Sequence, residues 1–575
     1  RTSTSTPTAS TAAPPSESTR GNYPGLLQSI SFTAADPSNN NQMTPVAIAS
    51  FAYDANGFLR QSWDARLPNL RTTYAYGSDL RISSVTPPGL NAWSFSFDSS
   101  GRLSQVSRPD PSGGTDTTTV VYNVPFTGTG APIEMGSATT SAWGETSDLP
   151  SYAAAIFSPN HPMPLGTTAG SVSSSDWPYA TLHYLDVNGR NVNTANYGAG
   201  AWQIGTSGYD KFGNTLTQLS ALARDEALSP SNYPDLDGYV ASIPASSDRA
   251  ALLSTNNIYS PDGTELTDTV GSMHPVVLSS GSTVDARTHT HTTFDEGAPN
   301  NDVAADGGPY RLPTTITAAA QTSDAVDHDA RTSHKGYAAI VSGDTTGWTL
   351  RQPTTKTTVM GGSTADIVTT TRYDAQGHVI ETRMPATQNG GDAHAALNTY
   401  FAATGSGGCA NAAEAGLLCQ TGPVAQPSTG PHLLTSNTTY NMWGEAVGVT
   451  EADASCSSSC PSRTTTTVYD SGQRECVRNI ATSNVGDSAL PAVYTGYDPN
   501  TGLTTLSGNI SGTAPTSCPS SAPALSSQIS TGYDGDGRVI SYMDANNNAA
   551  GLSYTADGLT ASLNDTTTTE IYTYD

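Results

Sequence analysis

Ionic charge is scarce in this sequence. Asp, Glu, Lys and Arg make up 13% of its 575 residues, about half the usual share. Lysine occurs only at Lys211, Lys335 and Lys356. What charge there is runs to one sign, with 50 acidic against 24 basic residues and a net charge of −26. Such a balance argues against a polyanionic partner, so nucleic acid and an anionic membrane surface are not expected. Long apolar runs are missing too. None approaches the roughly 18 residues of a membrane span. Recognisable catalytic signatures are also missing: there is no Gly-x-Ser-x-Gly elbow, His-Glu-x-x-His pair, Walker loop or dinucleotide fingerprint after a strand. The sequence therefore predicts no enzyme, no cofactor and no metal site. It opens on Arg1-Thr-Ser-Thr without an initiator Met and stops at Tyr572-Thr-Tyr-Asp575, so a fragment or processed piece of a longer protein is expected.

Cysteine is absent except between 409 and 518, where Cys409, Cys419, Cys456, Cys460, Cys476 and Cys518 lie. An even, clustered set in a Lys-poor, Thr/Ser-rich chain predicts disulfides and a secreted, extracellular or cell-surface location. Fifteen connectivities are open to six cysteines. Short spacing favours Cys409–Cys419 and Cys456–Cys460, which leaves Cys476 with Cys518. Zinc is the competing reading, but the spacings do not give two CxxC-like halves.

What is present is a repeated turn. Tyr53-Asp54-Ala-Asn-Gly57 recurs as Phe97-Asp98-Ser-Ser-Gly101, Tyr209-Asp210-Lys-Phe-Gly213, Tyr373-Asp374-Ala-Gln-Gly377 and Tyr533-Asp534-Gly-Asp-Gly537. Looser copies lie at Leu185–Gly189, Tyr259–Gly263, Tyr440–Gly444 and Tyr554–Gly558, with a degenerate unit at Tyr76–Asp79. Asp or Asn opens a turn through its side chain, and the glycine supplies the positive φ that closes it. The flanks are rich in Thr, Val, Tyr and Ile, as strands require. Each copy therefore predicts a β-hairpin, one per roughly 20–25 residues, within the range of repeat architectures. A lone hairpin is marginal in water, so hairpins must stack, and the tyrosine suits a ladder between neighbours.

Residues 1–22 are Ser/Thr/Pro-rich and read as a linker or tail, while 23–575 read as one repeat region. Within it, 126–180 looks like an irregular insertion and 409–518 is the cysteine-containing part. Short helices are predicted at Ser220–Leu228 and Ser246–Leu253, the latter capped by Ser or Asp, and one helical turn at Asn411–Leu418. Asp235–Gly238 and Asp534–Gly537 superficially resemble calcium loops, but lack the spaced carboxylates of an EF-hand. His289 and His291 would share one face of a strand, and His328 and His334 flank Asp327, Asp329 and Arg331. Without a placed third ligand these read as strand histidines. Trp93, Trp143, Trp177, Trp202 and Trp348 would suit a sugar-binding face, but packing is the expected role.

These residues resemble the RHS or YD-repeat proteins of bacteria, whose repeat core is Tyr-Asp-x-x-Gly-Arg-Leu. Asp98–Leu103 (DSSGRL) and Tyr533–Val539 (YDGDGRV) carry the likeness most closely. His183–Arg190, Tyr197–Gln203, Gly347–Pro353 and Gly416–Pro423 are similar to stretches of the large secreted members. The resemblance spans roughly 45–575. It implies an all-β fold of stacked hairpins in a spiralling sheet, forming a hollow shell or part of one, with a few short helical insertions. In toxin members that shell encloses an effector domain of the same parent chain, which would be the partner here. Many units depart from the pattern by lacking Arg after Gly, and several lack Tyr, so an irregular sheet is expected. The family's shell-closing core and any effector domain are absent from these residues. The leading expectation is thus an encapsulating scaffold of a toxin-delivery system. An extracellular adhesin or fibre that binds glycan or a partner protein is the alternative, and a secreted hydrolase ranks below both.

Overall fold

The computed structural model describes all residues except 1, 8–12, 15, 17–18, 112, 234–237, 363, 386–394, 406, 454–460, 484–489 and 575. The chain is all-β, with a few short helices. Strands pair antiparallel with their neighbours in sequence, hairpin after hairpin. The chain divides into two compact units, Thr118–Ala395 and a discontinuous one made of Arg1–Thr117 with Ala396–Asp575.

At almost every repeat the ladder slips by one residue at the aromatic position before the turn. The slip occurs at Tyr53, Phe97, Tyr209, Tyr373, Tyr440, Tyr469, Tyr497, Tyr533 and Tyr554. This is the bulge that accompanies a type I turn closed by a left-handed residue. Gly57, Gly101, Gly213, Gly377 and Gly537 fill that place with φ between 81° and 91°. In the turn after Tyr469 the place is taken by Gln473, with φ 66°.

In the unit Thr118–Ala395, Thr119–Tyr122 pairs with the strand Tyr152–Phe157, which pairs with Ala180–Leu185. The hairpin series then runs on from Asn191–Gly198. Alternate residues of the first strands turn inward: Ala155, Phe157, Leu182 and Tyr184 are fully buried, as the two-residue period of a half-buried strand requires. Helices Ala221–Leu228 and Ser246–Leu253 interrupt the hairpins and add Ala223, Ala227, Ala250 and Leu253 to the same core. Ser220 caps the first helix by accepting from the Ala223 amide. Ser246–Leu253 has no side-chain cap; the Ser246 hydroxyl instead donates to the Ala142 carbonyl at 2.6 Å. Segment 126–180, irregular by composition, supplies Met135, Trp143, Phe157 and Trp177 to the largest core of the molecule. Its periodicity is weak because short helices alternate with a single strand and the buried positions include alanines.

In the other unit, Thr2–Pro7 is a strand paired with Leu27–Thr33, inside the segment whose composition suggests a tail. Serine and threonine suit a strand edge as readily as a linker, so composition does not distinguish the two. Asn411–Leu417 forms successive turns rather than a helix, the Glu414 amide donating to Asn411 and the Leu417 amide to Glu414. Disulfides join Cys409 to Cys419 and Cys476 to Cys518; the second lies in a small core with Val477, Ala492, Tyr494 and Ile510. Cys456 and Cys460 lie outside the described residues.

Candidate functional site

The turn carboxylates are fully engaged by their own turns. In the turn opened by Asp534, Oδ1 accepts from the amides of Asp536 and Arg538, both at 2.9 Å, and Oδ2 accepts from Arg538 Nε at 2.8 Å. Asp98, Asp186 and Asp470 hold Arg102, Arg190 and Arg474 in the same way. Asp54 reaches two residues further, to Arg60 at 2.5 Å. Where arginine is missing the partner changes but the bond remains. Asp374 holds His378, Asp210 holds Asn214 and Asp544 holds Asn548. Asn441 replaces the aspartate in one copy, and there the facing residue is Glu445, which accepts from Asn441 Nδ2 at 2.9 Å. The Arg102 amide, then its side chain and the Ser100 amide, hold the Asp98 carboxyl below its ordinary value. For Asp534, burial pulls upward, but the bonds from Arg538 and Asp536 outweigh it and the net shift is downward.

Four of these arginines also reach the next repeat. Arg60 lies over Tyr76, Arg190 over Tyr209, Arg474 over Tyr497 and Arg538 over Tyr554, with 4.2–4.9 Å to the ring centroid. Such stacking contributes about 0.5–1 kcal/mol at exposed sites. The tyrosine hydroxyl donates backwards, to the carbonyl of the residue that opens the strand after the preceding turn. Tyr497 donates to Glu475 at 2.9 Å, Tyr533 to Thr504 at 2.8 Å and Tyr554 to Val539 at 2.7 Å; Tyr209 and Tyr440 follow the same rule. Aspartate, arginine and the following tyrosine thus form a rail along the turn edge.

In the discontinuous unit the rail is also packed by hairpins remote in sequence. Phe32 stacks on Trp443 at 4.9 Å, and Arg66 lies 4.5 Å over the same ring. The Asn91 amide donates to the Gly535 carbonyl at 2.6 Å, and Asn91 Nδ2 donates to Asp536 Oδ1 at 3.0 Å. A Cβ at Gly535 would lie 2.6 Å from Asn91 Nδ2, so a larger residue there would push the Asn91 side chain off Asp536. Asp536 is fully buried between Arg108 and Arg538, at 3.2 and 3.3 Å. Both carboxylates of Asp534–Gly537 are therefore occupied by arginine, which accounts for the calcium-like spelling. Asp235 and Asp237, in the other such stretch, lie outside the described residues.

His289 and His291 do share a strand face. His289 is bracketed by Asp268 at 3.2 Å and Asp327 at 2.9 Å, and His291 bonds Asp268 at 2.6 Å. Burial would lower the His289 pKa, but its bonds to Asp327 and Asp268 raise it overall. The groups hold one another, and among the described residues no three or more His, Cys, Asp or Glu could hold a metal ion. His334 bonds the Thr315 hydroxyl at 2.9 Å instead of joining them. The tryptophans are dispersed. Trp348 packs between Tyr310 and Tyr337, Trp93 lies under Arg108, and Trp177 and Trp202 line one groove of about 560 Å³.

A site without a sequence signature lies at Glu145, in the unit Thr118–Ala395. Its carboxyl is buried; Oε1 accepts from Asn193 Nδ2 at 2.7 Å and Oε2 from Trp143 Nε1 at 3.1 Å. Burial pushes its pKa up to about 7, against the pull of those two bonds. Three residues on, Asp148 pairs with Arg190 at 2.5 Å and accepts from the Tyr209 amide at 2.9 Å.

No protein-family model matches this chain, and no curated protein matches it in sequence. Among solved structures it is similar to the crystal structure of TcdB2-TccC3-Cdc42, with a TM-score of 0.44 and 10% identity over 95% of this chain and 31% of that one. TcdB2-TccC3 without its hypervariable C-terminal region gives 0.21 and 12% over 94% and 28%. The Tc holotoxin pore of Photorhabdus luminescens gives 0.17 and 11% over 94% and 27%. The chain spans less than a third of the length of each of these. Among its described residues no helix is long and apolar enough to cross a membrane.

Proposed function

We propose that this chain is wall material: a structural, encapsulating scaffold of a secreted or cell-surface RHS/YD-repeat protein, serving as the shell part of a toxin-delivery system. One observation carries the reading. The residues that recur are consumed in binding each other, turn to turn, so the repeat builds a sheet edge and leaves no repeated reactive group. Supporting it are the long hairpin series, the packing of remote hairpins on one another, and the sequence resemblance. On this reading the chain has no catalytic role of its own, its partner is an effector domain of the same parent chain, and its disulfides belong to an extracellular setting. The alternative of a glycan-binding adhesin is favoured by one feature, the groove lined by Trp177 and Trp202.

Electron microscopy of the purified chain, with glycan-array binding in parallel, tests the proposal. A curved wall bounding a wide solvent-filled space, with no glycan retained, is the expected result. A solid rod, or saturable retention of a glycan, contradicts it.

A further inference from the structure

A cavity of about 220 Å³ opens in the unit Thr118–Ala395, against Glu145. Its wall is divided chemically. Leu216, Leu219 and Ala251 are its apolar residues, and Ser207, Thr217 and Ser247 line it with Glu145.

Glu145 is 9% exposed, yet both of its hydrogen-bond donors, Asn193 and Trp143, are uncharged. The neighbouring carboxylate, Asp148, is neutralised by Arg190. Arg224 lies 4.4 Å over the Trp143 ring and attracts Glu145 through space without forming an ion pair with it, and its own Nε has no hydrogen-bond partner. A buried carboxylate without a paired cation is destabilising unless it takes a proton or a cation arrives. That its pKa stands near 7 accords with this. Each carboxylate oxygen already accepts one bond and retains capacity for another.

We propose that this cavity binds a primary ammonium group carried on a short aliphatic stem. The ammonium supplies a directly paired positive charge. Its three donors match one Glu145 oxygen and two of the lining hydroxyls, and the stem lies along Leu216 and Leu219. A guanidinium fits less well, because its planar fork seeks both carboxylate oxygens along directions that Asn193 and Trp143 already share. A neutral sugar would leave Glu145 unpaired. The shared chemistry has two sources, a free amine or a lysine side chain. The inference does not depend on the scaffold reading.

Isothermal titration calorimetry of the whole chain tests it, with n-butylamine, Nα-acetyl-lysine methylamide and n-butanol as probes. The expected result is saturable binding of n-butylamine but not of n-butanol. Near pH 7 binding should release protons, seen as heats that depend on the buffer's ionisation enthalpy, because a bound cation favours the ionised carboxyl. Glu145→Gln should weaken binding at least tenfold. Thr217→Val, which leaves the Asn193 and Trp143 bonds to Glu145 intact, should weaken it severalfold with an unchanged circular dichroism spectrum. Binding of the lysine derivative as well identifies a protein side chain as a competent ligand, and binding of n-butylamine alone restricts the site to free amines. No saturable amine binding at pH 8, or equal binding of n-butanol, overturns the proposal.

Discussion

The hairpins around Tyr533 and those around Leu182 hold a sheet together by different means. Strand Val539–Met543 contains no buried residue, and neither does Arg71–Tyr76. Their stability comes from the turn edge: carboxylate to arginine, arginine to the next ring, hydroxyl back to the previous strand. Around Ala180–Leu185 every second residue is buried, and short helices close over the sheet to complete an apolar core. The first arrangement repeats along the chain, each turn bonded to its neighbours and packed by hairpins remote in sequence. The second needs insertions and does not repeat. The difference teaches that the repeat motif is a device for building sheet without a thick core.

The sharpest way to break the comparison is to hollow out the core. Phe157→Ala should destabilise the unit Thr118–Ala395 by about 3–5 kcal/mol, read by denaturant unfolding, while hydrogen exchange at the Asp534 turn stays unchanged. Replacing Cys476 and Cys518 by serine should cost about 2–4 kcal/mol, in the discontinuous unit only, because the bond closes a loop 42 residues long. Asp534→Ala removes the carboxylate that holds Arg538 Nε and should cost about 1–3 kcal/mol. Amide exchange should then rise at Asp536 and Arg538. Tyr373→Phe removes one hydroxyl bond, to the Pro353 carbonyl, and should cost about 1 kcal/mol.

The two arrangements should also respond oppositely to pH. The turn aspartates have lowered folded values, so what they add is present above the unfolded value near 3.8 and is lost as pH falls through the folded values. Glu145 is raised, from 4.5 to about 7, so the folded state binds more protons and the unit Thr118–Ala395 weakens as pH climbs between those values. His289 is also raised above 6.5. Its contribution is complete below that value and is lost as pH rises through the folded one. Unfolding of Glu145→Gln and His289→Gln variants followed across pH 4–8 checks both signs: each should flatten the slope.

The turns were legible because their chemistry is local; Asp, Gly and the residue after it lie within five positions. The exchange of Asn441 with Glu445 for Asp and Arg was visible in the sequence only as a departure, and becomes a complementary pair once the bond is seen. The turn after Tyr469 escaped notice because Gln473 stands where glycine is expected. Stacking of Arg538 on Tyr554 was not legible, since it requires the register between strands. Nor was the core inside 126–180, because much of what it buries is alanine, such as Ala153, Ala155 and Ala180. Glu145 carries no motif; only docking of its segment beside Asn193 makes it unusual.

The repeated polar residues exist to satisfy one another. The Asn441–Glu445 turn offers the most direct test, by transplanting its chemistry into the turn of Asp470 and Arg474. Melting should be measured for Asp470→Asn, Arg474→Glu and the double variant. The double variant should melt above both single variants, because the pair is restored with its polarity exchanged. A double variant that loses the sum of the two single losses would show that the facing residues act independently, and would contradict the account.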